Sequence, residues 1–203
     1  MAAIDLVFAT KIYRAELEEA DLLAELDMLC RTTAVDDEAG RAWCEEHGYA
    51  GYTSYASLDD LTWRFPAFRT LERRLDRNVR AFARELDYDL QGRKLVLDDI
   101  WINLLPRGGF HGGHIHPHAV VSGTLYLAVP RGAGAIRFED PRLAMMMATP
   151  ARKAKAKREN RSFVEVAPAV GTVLLWESFL RHEVPLNRAA GERISVSFNY
   201  AWR

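Results

Sequence analysis

Four of the six histidines lie between residues 111 and 118, in the sequence HGGHIHPH. Neutral imidazole is the commonest metal ligand in proteins, and side chains at positions i and i+2 of a β-strand project from the same face. We therefore expect His114 and His116 to point the same way and to bind one metal ion, while Ile115 points away. A third ligand must come from elsewhere, and His182 is the obvious candidate because it begins another strand-like stretch.

The other two histidines of this run are weaker candidates. His118 has the same parity as His116, but Pro117 removes a backbone donor and can bend the chain there. We expect His118 to lie beside the ligands or to face the substrate. His111 precedes two glycines and is expected to lie in a loop.

A second pair of polar side chains follows eleven residues after His182. Arg193 and Ser195 share a strand face by the same spacing rule. A guanidinium forms a bidentate, charge-assisted pair with a carboxylate, and a hydroxyl adds a further hydrogen bond. This strand could therefore hold a dicarboxylic acid whose other end reaches the metal. The alternative for Arg193 is a surface position or a structural ion pair.

The elements that must position these residues differ between the two halves of the chain. Residues 1–92 are predicted to be mainly helical after an opening strand near Ile4 to Phe8. Apolar residues recur at spacings of three and four from Glu16 to Cys30 and from Pro66 to Leu86, which indicates two amphipathic helices. The second of these could serve a homodimer as well as a core.

From residue 93 onward the chain consists of short apolar runs separated by glycine and proline. These features predict eight strands and hence an antiparallel jelly-roll core over residues 93–203. The predicted fold class is α+β, a single domain with the N-terminal helices packed on the jelly roll. The runs are KLVLDDIWINLL, GGHIH, SGTLYLAV, AIRFED, RSFVEVA, TVLLWES, HEVPL and RISVSFNYAW.

The composition is that of an ordinary globular domain, with 49% hydrophobic and 27% charged residues in 203. A net charge of −1 gives no overall attraction to nucleic acid or membrane, and no apolar run is long enough to cross a bilayer. The start of the sequence lacks an export signal. We expect a cytoplasmic protein, with Cys30 and Cys44 as reduced thiols and with neither nucleic acid nor membrane as a partner.

One basic run, ARKAKAKRE at residues 151–159, carries five cations before its final glutamate. It lies in a long predicted loop, residues 141–160, between the fourth and fifth strands of the core. We expect a solvated loop there. A lid over an anionic substrate and a local nucleic-acid contact are the alternatives.

Together the site residues resemble those of iron(II)- and 2-oxoglutarate-dependent oxygenases with a double-stranded β-helix core. The likeness is greatest to an uncharacterised bacterial and phage subfamily whose hallmark is HxHP followed by SGxxY. It covers residues 95–203 well and the helical half more loosely, through an opening strand and a GYxS element. The residues that carry it are His114, His116, His182, Arg193 and Ser195, set among SGTLYL, FEDPR, GTVLLWES and RISVSFN.

The resemblance implies that three histidines bind Fe(II) and that 2-oxoglutarate chelates the metal, with its C5 carboxylate on Arg193 and Ser195. It also implies that Asn103 hydrogen-bonds the cosubstrate or orients a ligand, and that the hydroxyl of Tyr126 reaches the C5 carboxylate. For each of the last two, an ordinary structural hydrogen bond is the alternative. The implied reaction is hydroxylation of an unidentified small-molecule or peptide substrate.

One residue departs from the pattern of the wider superfamily. The usual iron site has two histidines and one carboxylate, and His116 stands where the carboxylate is expected. Three neutral imidazoles leave the metal more positive, which alters its redox potential and its binding of an anionic cosubstrate. If a carboxylate ligand is needed, it has to be Glu139, Asp140, Glu177 or Glu183, none of which has the expected spacing.

Two other functions therefore stay open at this point. The first is a three-histidine, cupin-like dioxygenase that needs no 2-oxoglutarate and uses Arg193 to bind the carboxylate of its own substrate. The second is a non-catalytic jelly-roll module in which the metal is structural or senses a ligand.

Overall fold

The structure is a computed structural model that describes residues 2–203. Its helices are α1 (Ala20–Asp36), α2 (Glu38–Glu46), α3 (Leu61–Arg64) and α4 (Pro66–Glu85). Its strands are β1 (Ile12–Glu16), β2 (Tyr52–Thr53), β3 (Leu95–Leu105), β4 (His111–His114), β5 (Val121–Ala128), β6 (Ile136–Glu139), β7 (Phe163–Val166), β8 (Thr172–Glu177), β9 (His182–Val184) and β10 (Arg193–Trp202).

The strands form two antiparallel sheets. The larger sheet has the order β1-β8-β5-β10-β3-β2, and the smaller has the order β4-β9-β6-β7. Side chains of both sheets meet in one apolar cluster, in which Tyr126 and Trp176 of the larger sheet pack with Ile136 and Phe138 of the smaller. The helices cover the opposite face of the larger sheet. The α+β prediction is therefore confirmed.

Helix α4 follows directly from the sequence pattern. Pro66 occupies its first turn, where a missing N–H removes no hydrogen bond. Its apolar stripe is buried against Ile102 and Val196 of the larger sheet, and each fully buried side chain of this size stabilises the fold by about 1.5–3 kcal/mol. The stripe is thus occupied within the chain, so a homodimer, which stays a prediction, would have to use another surface. It consists of Phe68, Leu71, Leu75, Val79 and Phe82.

Strands β3 and β10 lie side by side and divide their side chains between the two faces of the larger sheet. The face toward the helices carries the apolar residues Ile100, Ile102, Ile194, Val196 and Phe198. The face toward the smaller sheet carries Trp101, Asn103, Leu105, Arg193, Ser195, Ser197 and Asn199. A sheet face that is buried and yet polar is unusual, because each buried polar group needs a partner. This face therefore marks the candidate site.

The start of the chain differs from the prediction. The opening strand expected at Ile4 to Phe8 is wrong, since the first strand is β1, which pairs with β8 from Ile12 with Trp176 to Glu16 with Thr172. Residues 4–8 have an apolar pattern but no neighbouring strand, and Ile4 and Phe8 are exposed. The first helix begins at Ala20 rather than Glu16 because Glu16 ends β1, and it continues to Asp36.

The cysteines, the basic loop and the hydropathy of the helices can each be compared with what the composition predicted. Cys30 and Cys44 are both buried and free. The loop between β6 and β7 contains only two short 3-10 turns, and its basic run is almost entirely exposed. In the described part of the chain, no helix has the length and apolar character needed to cross a membrane.

Candidate metal and cosubstrate site

His114, His116 and His182 converge on one point. Their ligand atoms all lie within 4.8 Å of one another, and His114 faces His182 across the β4–β9 pair. The Nδ1 atoms of His114 and His182 lie 2.8 and 2.9 Å from the carbonyl oxygens of Gly112 and Leu180. Because a carbonyl only accepts, each Nδ1 carries the proton and Nε2 keeps the lone pair that a metal needs.

His116 reaches this cluster in a different way from that predicted. Strand β4 ends at His114, and its register with β9 shifts between His111 and His114, so the i, i+2 rule of a regular strand does not apply to His116. The backbone N–H of His116 instead donates to the carbonyl of Ser178 at 3.0 Å. This bond ties the segment after β4 to Ser178, the residue that follows β8, and the imidazole of His116 lies together with the other two.

Burial keeps these imidazoles neutral. It lowers the pKa of His182 to about 3 and that of His116 to about 4, and the charges of neighbouring imidazoles add to the effect. Burial also lowers the pKa of His114. Neutral imidazole is the form that binds metal, so the cluster is ready to bind a divalent cation at neutral pH.

The four carboxylates that could have replaced an imidazole have other partners. None of them belongs to the cluster of metal-ligating atoms found within residues 2–203. Within residues 2–203, the cluster that could hold a metal ion therefore consists of three histidines. Glu139 pairs with Arg181, Asp140 with Arg142 and Glu183 with Arg137, and Glu177 accepts the hydroxyl of Tyr88.

Arg193 lies in the same cavity as the three histidines. It is only 2% exposed, and across residues 2–203 its guanidinium forms no ion pair. One of its nitrogens, Nη1, donates to Ser195 Oγ at 3.2 Å, while Nε has no partner in the described chain. The guanidinium carbon lies 4.8 Å from the ring centroid of Tyr126. Since a buried charge without a counterion is strongly destabilising, this position fits a bound anion.

Three more buried polar atoms, two at the cavity and one on the tyrosine beside Arg193, have no hydrogen-bond partner within residues 2–203. They are Tyr126 Oη, Asn103 Oδ1 and Trp176 Nε1. The amide nitrogen of Asn103 donates to Ser197 Oγ at 3.1 Å, which leaves its oxygen free. The indole of Trp176 packs edge-on against His182. Such orphaned groups are rare in native proteins unless a ligand or water satisfies them.

Two residues that the sequence did not indicate as part of the site, His111 and Tyr49, lie next to the histidine cluster, whereas His118 lies outside it. His111 lies in β4 rather than in a loop, and its ring stacks on that of His114 at 4.3 Å. The ring of Tyr49, from the helical half, lies edge-on to His111 at 5.6 Å. No motif around Tyr49 could have indicated this contact. His118 is exposed and outside the histidine cluster.

Comparison with known protein families agrees with a site for a metal ion and a dicarboxylic cosubstrate. Residues 99–199 match the family model described as 2OG-Fe(II) oxygenase, and this stretch contains all seven predicted site residues. No curated protein matches the sequence significantly.

Several solved structures are similar to this chain. A prolyl-4-hydroxylase from Pseudomonas putida is 19% identical, with a TM-score of 0.58 over 96% of this chain and 94% of that one. EctD from S. alaskensis with bound Fe is 16% identical, with a TM-score of 0.64 over 95% and 73%. An oxidoreductase of the 2OG-Fe(II) oxygenase family from Burkholderia pseudomallei is 22% identical, with a TM-score of 0.46. That match covers 63% of this chain, which spans about half (53%) of that protein. The first two likenesses confirm the double-stranded β-helix fold.

Proposed function

The chain belongs to the 2OG-Fe(II) oxygenases through the domain at residues 99–199, and from this membership we propose the roles of its residues. His114, His116 and His182 hold Fe(II), and Arg193 and Ser195 hold the C5 carboxylate of 2-oxoglutarate. Asn103 and Tyr126 supply further hydrogen bonds to the cosubstrate. The product is a hydroxylated small molecule or peptide.

The observation that carries this proposal is the buried, unpaired guanidinium of Arg193 in the cavity of the histidine cluster. A purely structural metal site does not require a buried arginine, because burying an unpaired charge destabilises the fold unless an anion binds beside it. 2-Oxoglutarate has a carboxylate at each end, so one end can neutralise Arg193 while the other reaches the metal. Asn103, whose amide oxygen has no partner, lines the same cavity, and the ring of Tyr126 lies against the guanidinium of Arg193.

The chain's own contribution is binding, orientation and exclusion of water. When bound, the iron and its cosubstrate supply the oxidising chemistry by which enzymes of this class hydroxylate their substrates. Apolar and aromatic walls enclose the donors, so charge pairs formed inside are stronger than they would be in water. These walls are Trp101, Leu105, Ile136, Trp176 and Val184.

The three-histidine donor set supports a second candidate, a dioxygenase that does not use 2-oxoglutarate. In that case Arg193 would bind a carboxylate of the substrate itself. The two candidates share the metal and differ in the cosubstrate. We also propose a cytoplasmic location, in keeping with two buried thiols that are not joined, and a substrate that is neither nucleic acid nor membrane lipid.

The test is reconstitution with Fe(II) under nitrogen, followed by oxygen and 2-oxoglutarate, with succinate measured with and without iron. Binding of 2-oxoglutarate to the Mn(II)-loaded protein, measured by calorimetry, gives a readout that needs no substrate. We expect both signals in the native protein, their loss in Arg193→Ala, and no change in Arg107→Ala, which removes an exposed arginine.

Each other outcome points to a different function. Metal binding without any 2-oxoglutarate binding would favour the second candidate if an oxygen-consuming substrate is found, and the non-catalytic module if none is. Full 2-oxoglutarate binding in Arg193→Ala would contradict the cosubstrate assignment.

A further inference from the structure

Arg193 and two tyrosines that its positive charge influences carry buried polar atoms without partners, and one of these tyrosines comes from the helical half of the chain. They are Arg193 Nε, Tyr126 Oη and Tyr49 Oη, each without a hydrogen bond to any described residue. Arg193 and Tyr126 already have proposed roles. Tyr49 lies outside the segment that matches the oxygenase family.

The backbone explains how Tyr49 reaches this place. The short strand β2 pairs with the end of β3, Tyr52 with Leu104, and Arg193 pairs with Leu105 at that same end. The residues just before β2 press against the turn that follows β3, since a Cβ on Gly109 would lie 2.6 Å from the carbonyl oxygen of Ala50. Tyr49 therefore lies beside the strand end that carries Arg193.

Local hydrogen bonds hold Tyr49 in this position. Its N–H donates to the carbonyl of Cys44 at 2.8 Å, and its own carbonyl accepts the N–H of Gly51 at 2.9 Å. Its ring lies edge-on to His111, which lines the cavity together with Arg193. A tyrosine fixed by backbone bonds and ring packing loses little further entropy when its hydroxyl makes a hydrogen bond.

The electrostatic environment leaves that hydroxyl as a donor. Burial raises the pKa of Tyr49, and the positive charge of Arg193 opposes this effect only in part. Tyr49 therefore stays protonated at neutral pH, within the field of the guanidinium. An anion drawn to Arg193 is a suitable acceptor for it.

We propose that Tyr49 is a positioning residue for the cosubstrate, and that its hydroxyl donates to the C5 carboxylate of 2-oxoglutarate bound at Arg193. The inference rests on the proposed function. It assigns the N-terminal half a direct part in the site, so that the carboxylate is held by donors from both halves of the chain.

The experiment compares two acids on the Mn(II)-loaded protein under nitrogen, by calorimetry. 2-Oxoglutarate has the distal carboxylate, and 2-oxobutanoate lacks it but keeps the metal-binding end. Tyr49→Phe keeps the ring against His111 and removes only the hydroxyl. We expect its Kd for 2-oxoglutarate to rise about tenfold or more, as for loss of a hydrogen bond to a charged group, and its Kd for 2-oxobutanoate to be unchanged.

The control is Tyr13→Phe, which removes a hydroxyl that bonds Asn78 on the other side of the larger sheet and should alter neither Kd. An unchanged Kd for 2-oxoglutarate in Tyr49→Phe would overturn the inference and leave the proposed function standing. An equal loss for both acids would also overturn it, because it would indicate damage to the metal centre. If the native protein bound no 2-oxoglutarate, the proposed function itself would fail, and this inference with it.

Discussion

At the scale of single residues, His116 is the position that sets this site apart from most iron oxygenases. Its imidazole stands where a carboxylate is usual, and it is held from outside the strand by the carbonyl of Ser178. A site of three neutral ligands has a net charge one unit more positive than the usual one. With 2-oxoglutarate bound as proposed, its two negative charges offset only two of the three positive charges of the divalent metal and Arg193, so the site keeps one net positive charge.

Replacing this histidine tests the donor set. We expect His116→Ala to weaken Mn(II) or Fe(II) binding by about 100-fold or more. Mutating a residue that only hydrogen-bonds a metal ligand lowers metal affinity by about 10–100-fold, and removing a ligand itself should lower it further. The measurement is competition with a fluorescent chelator. His118→Ala is the matched control, since His118 is exposed and outside the cluster. Equal affinities in the two variants would refute the assignment.

The sequence predicted much of this site and missed part of it for a physical reason. Six of the seven predicted residues line one cavity, whereas Tyr126 lies beside Arg193 and is not part of that lining. The roles of all seven stay predictions until metal and cosubstrate binding are measured. The contact between Tyr49 and His111 arises from a two-residue strand pairing. So short a strand has no period that could be detected in a sequence.

At the scale of elements, β5 is shaped by close contact with its neighbours. A Cβ on Gly123 would lie 2.4 Å from the ring of Phe198 on β10 and 2.6 Å from Leu175 on β8. Only glycine lets the three strands pack this closely. The SG in the SGxxY motif therefore has a structural role in addition to any role in the site.

We expect Gly123→Ala to lower the free energy of unfolding by about 1–3 kcal/mol, since overpacking a core has this effect. Urea denaturation measures it. Gly112→Ala, in β4 of the smaller sheet, is the control, because no atom lies within 4 Å of its added Cβ, and it should be neutral or slightly stabilising. A neutral Gly123→Ala would show that β5 can shift to make room.

Asp37 joins three elements and gives a pH-dependent prediction. Its carboxylate accepts hydrogen bonds from Gly40 N at the start of α2, from Tyr52 Oη on β2 and from Ser57 Oγ. Burial alone would raise the pKa of Asp37, but these bonds outweigh burial and lower it below its ordinary value of 3.8. The ionised form is thus the one that the folded state prefers.

We expect Asp37→Asn to lower the free energy of unfolding at neutral pH by about 1–2 kcal/mol, because an amide nitrogen cannot accept the hydroxyl bonds. A carboxyl whose pKa is lowered by folding contributes stability above its unfolded pKa and loses it as the pH falls through the folded pKa. The difference between native and variant should therefore shrink below about pH 4. Urea titrations at several pH values measure this difference, and a constant difference would contradict the assignment.

Elements with strong patterns were predicted well, and short or edge elements were not. Helix α4 and strand β10 match their predicted limits within a residue. Their apolar patterns extend over many residues, and the apolar positions are the ones that the fold buries. Helices α2 and α3 were missed, since nine and four residues give too little periodicity. The strand at β1 was placed too early because its position depends on pairing with β8, more than 150 residues later.

At the scale of the whole molecule, the two halves share one core. Leu26 of α1 and Leu71 and Phe82 of α4 pack in the same cluster as Ile102 and Val196 of the larger sheet. Neither half can bury its apolar face without the other. The single domain over residues 1–203, with a helical part and a jelly-roll part, stays a prediction, and the shared core supports it.

A thermal or urea titration should therefore show one transition by both far-UV and tryptophan signals. Residues 93–203 expressed alone should be unfolded or insoluble, since they would expose the sheet face that the helices cover. Two separated transitions, or a soluble and folded fragment, would contradict the shared core. Added Mn(II) should raise the midpoint of the full chain, because a ligand that binds only the folded state stabilises it.

Strand β10 lies between β5 and β3 in the larger sheet, and its partners on β3 are roughly ninety to a hundred positions earlier in the chain. Pairings over such sequence distances are slow to form, because closing a long loop costs conformational entropy before any contact between the strands offsets that cost. Arg193 is the first residue of that strand. We therefore expect the pairing of β10 with β3 to form late in folding, so that the guanidinium of Arg193 reaches the cavity only when the larger sheet is complete.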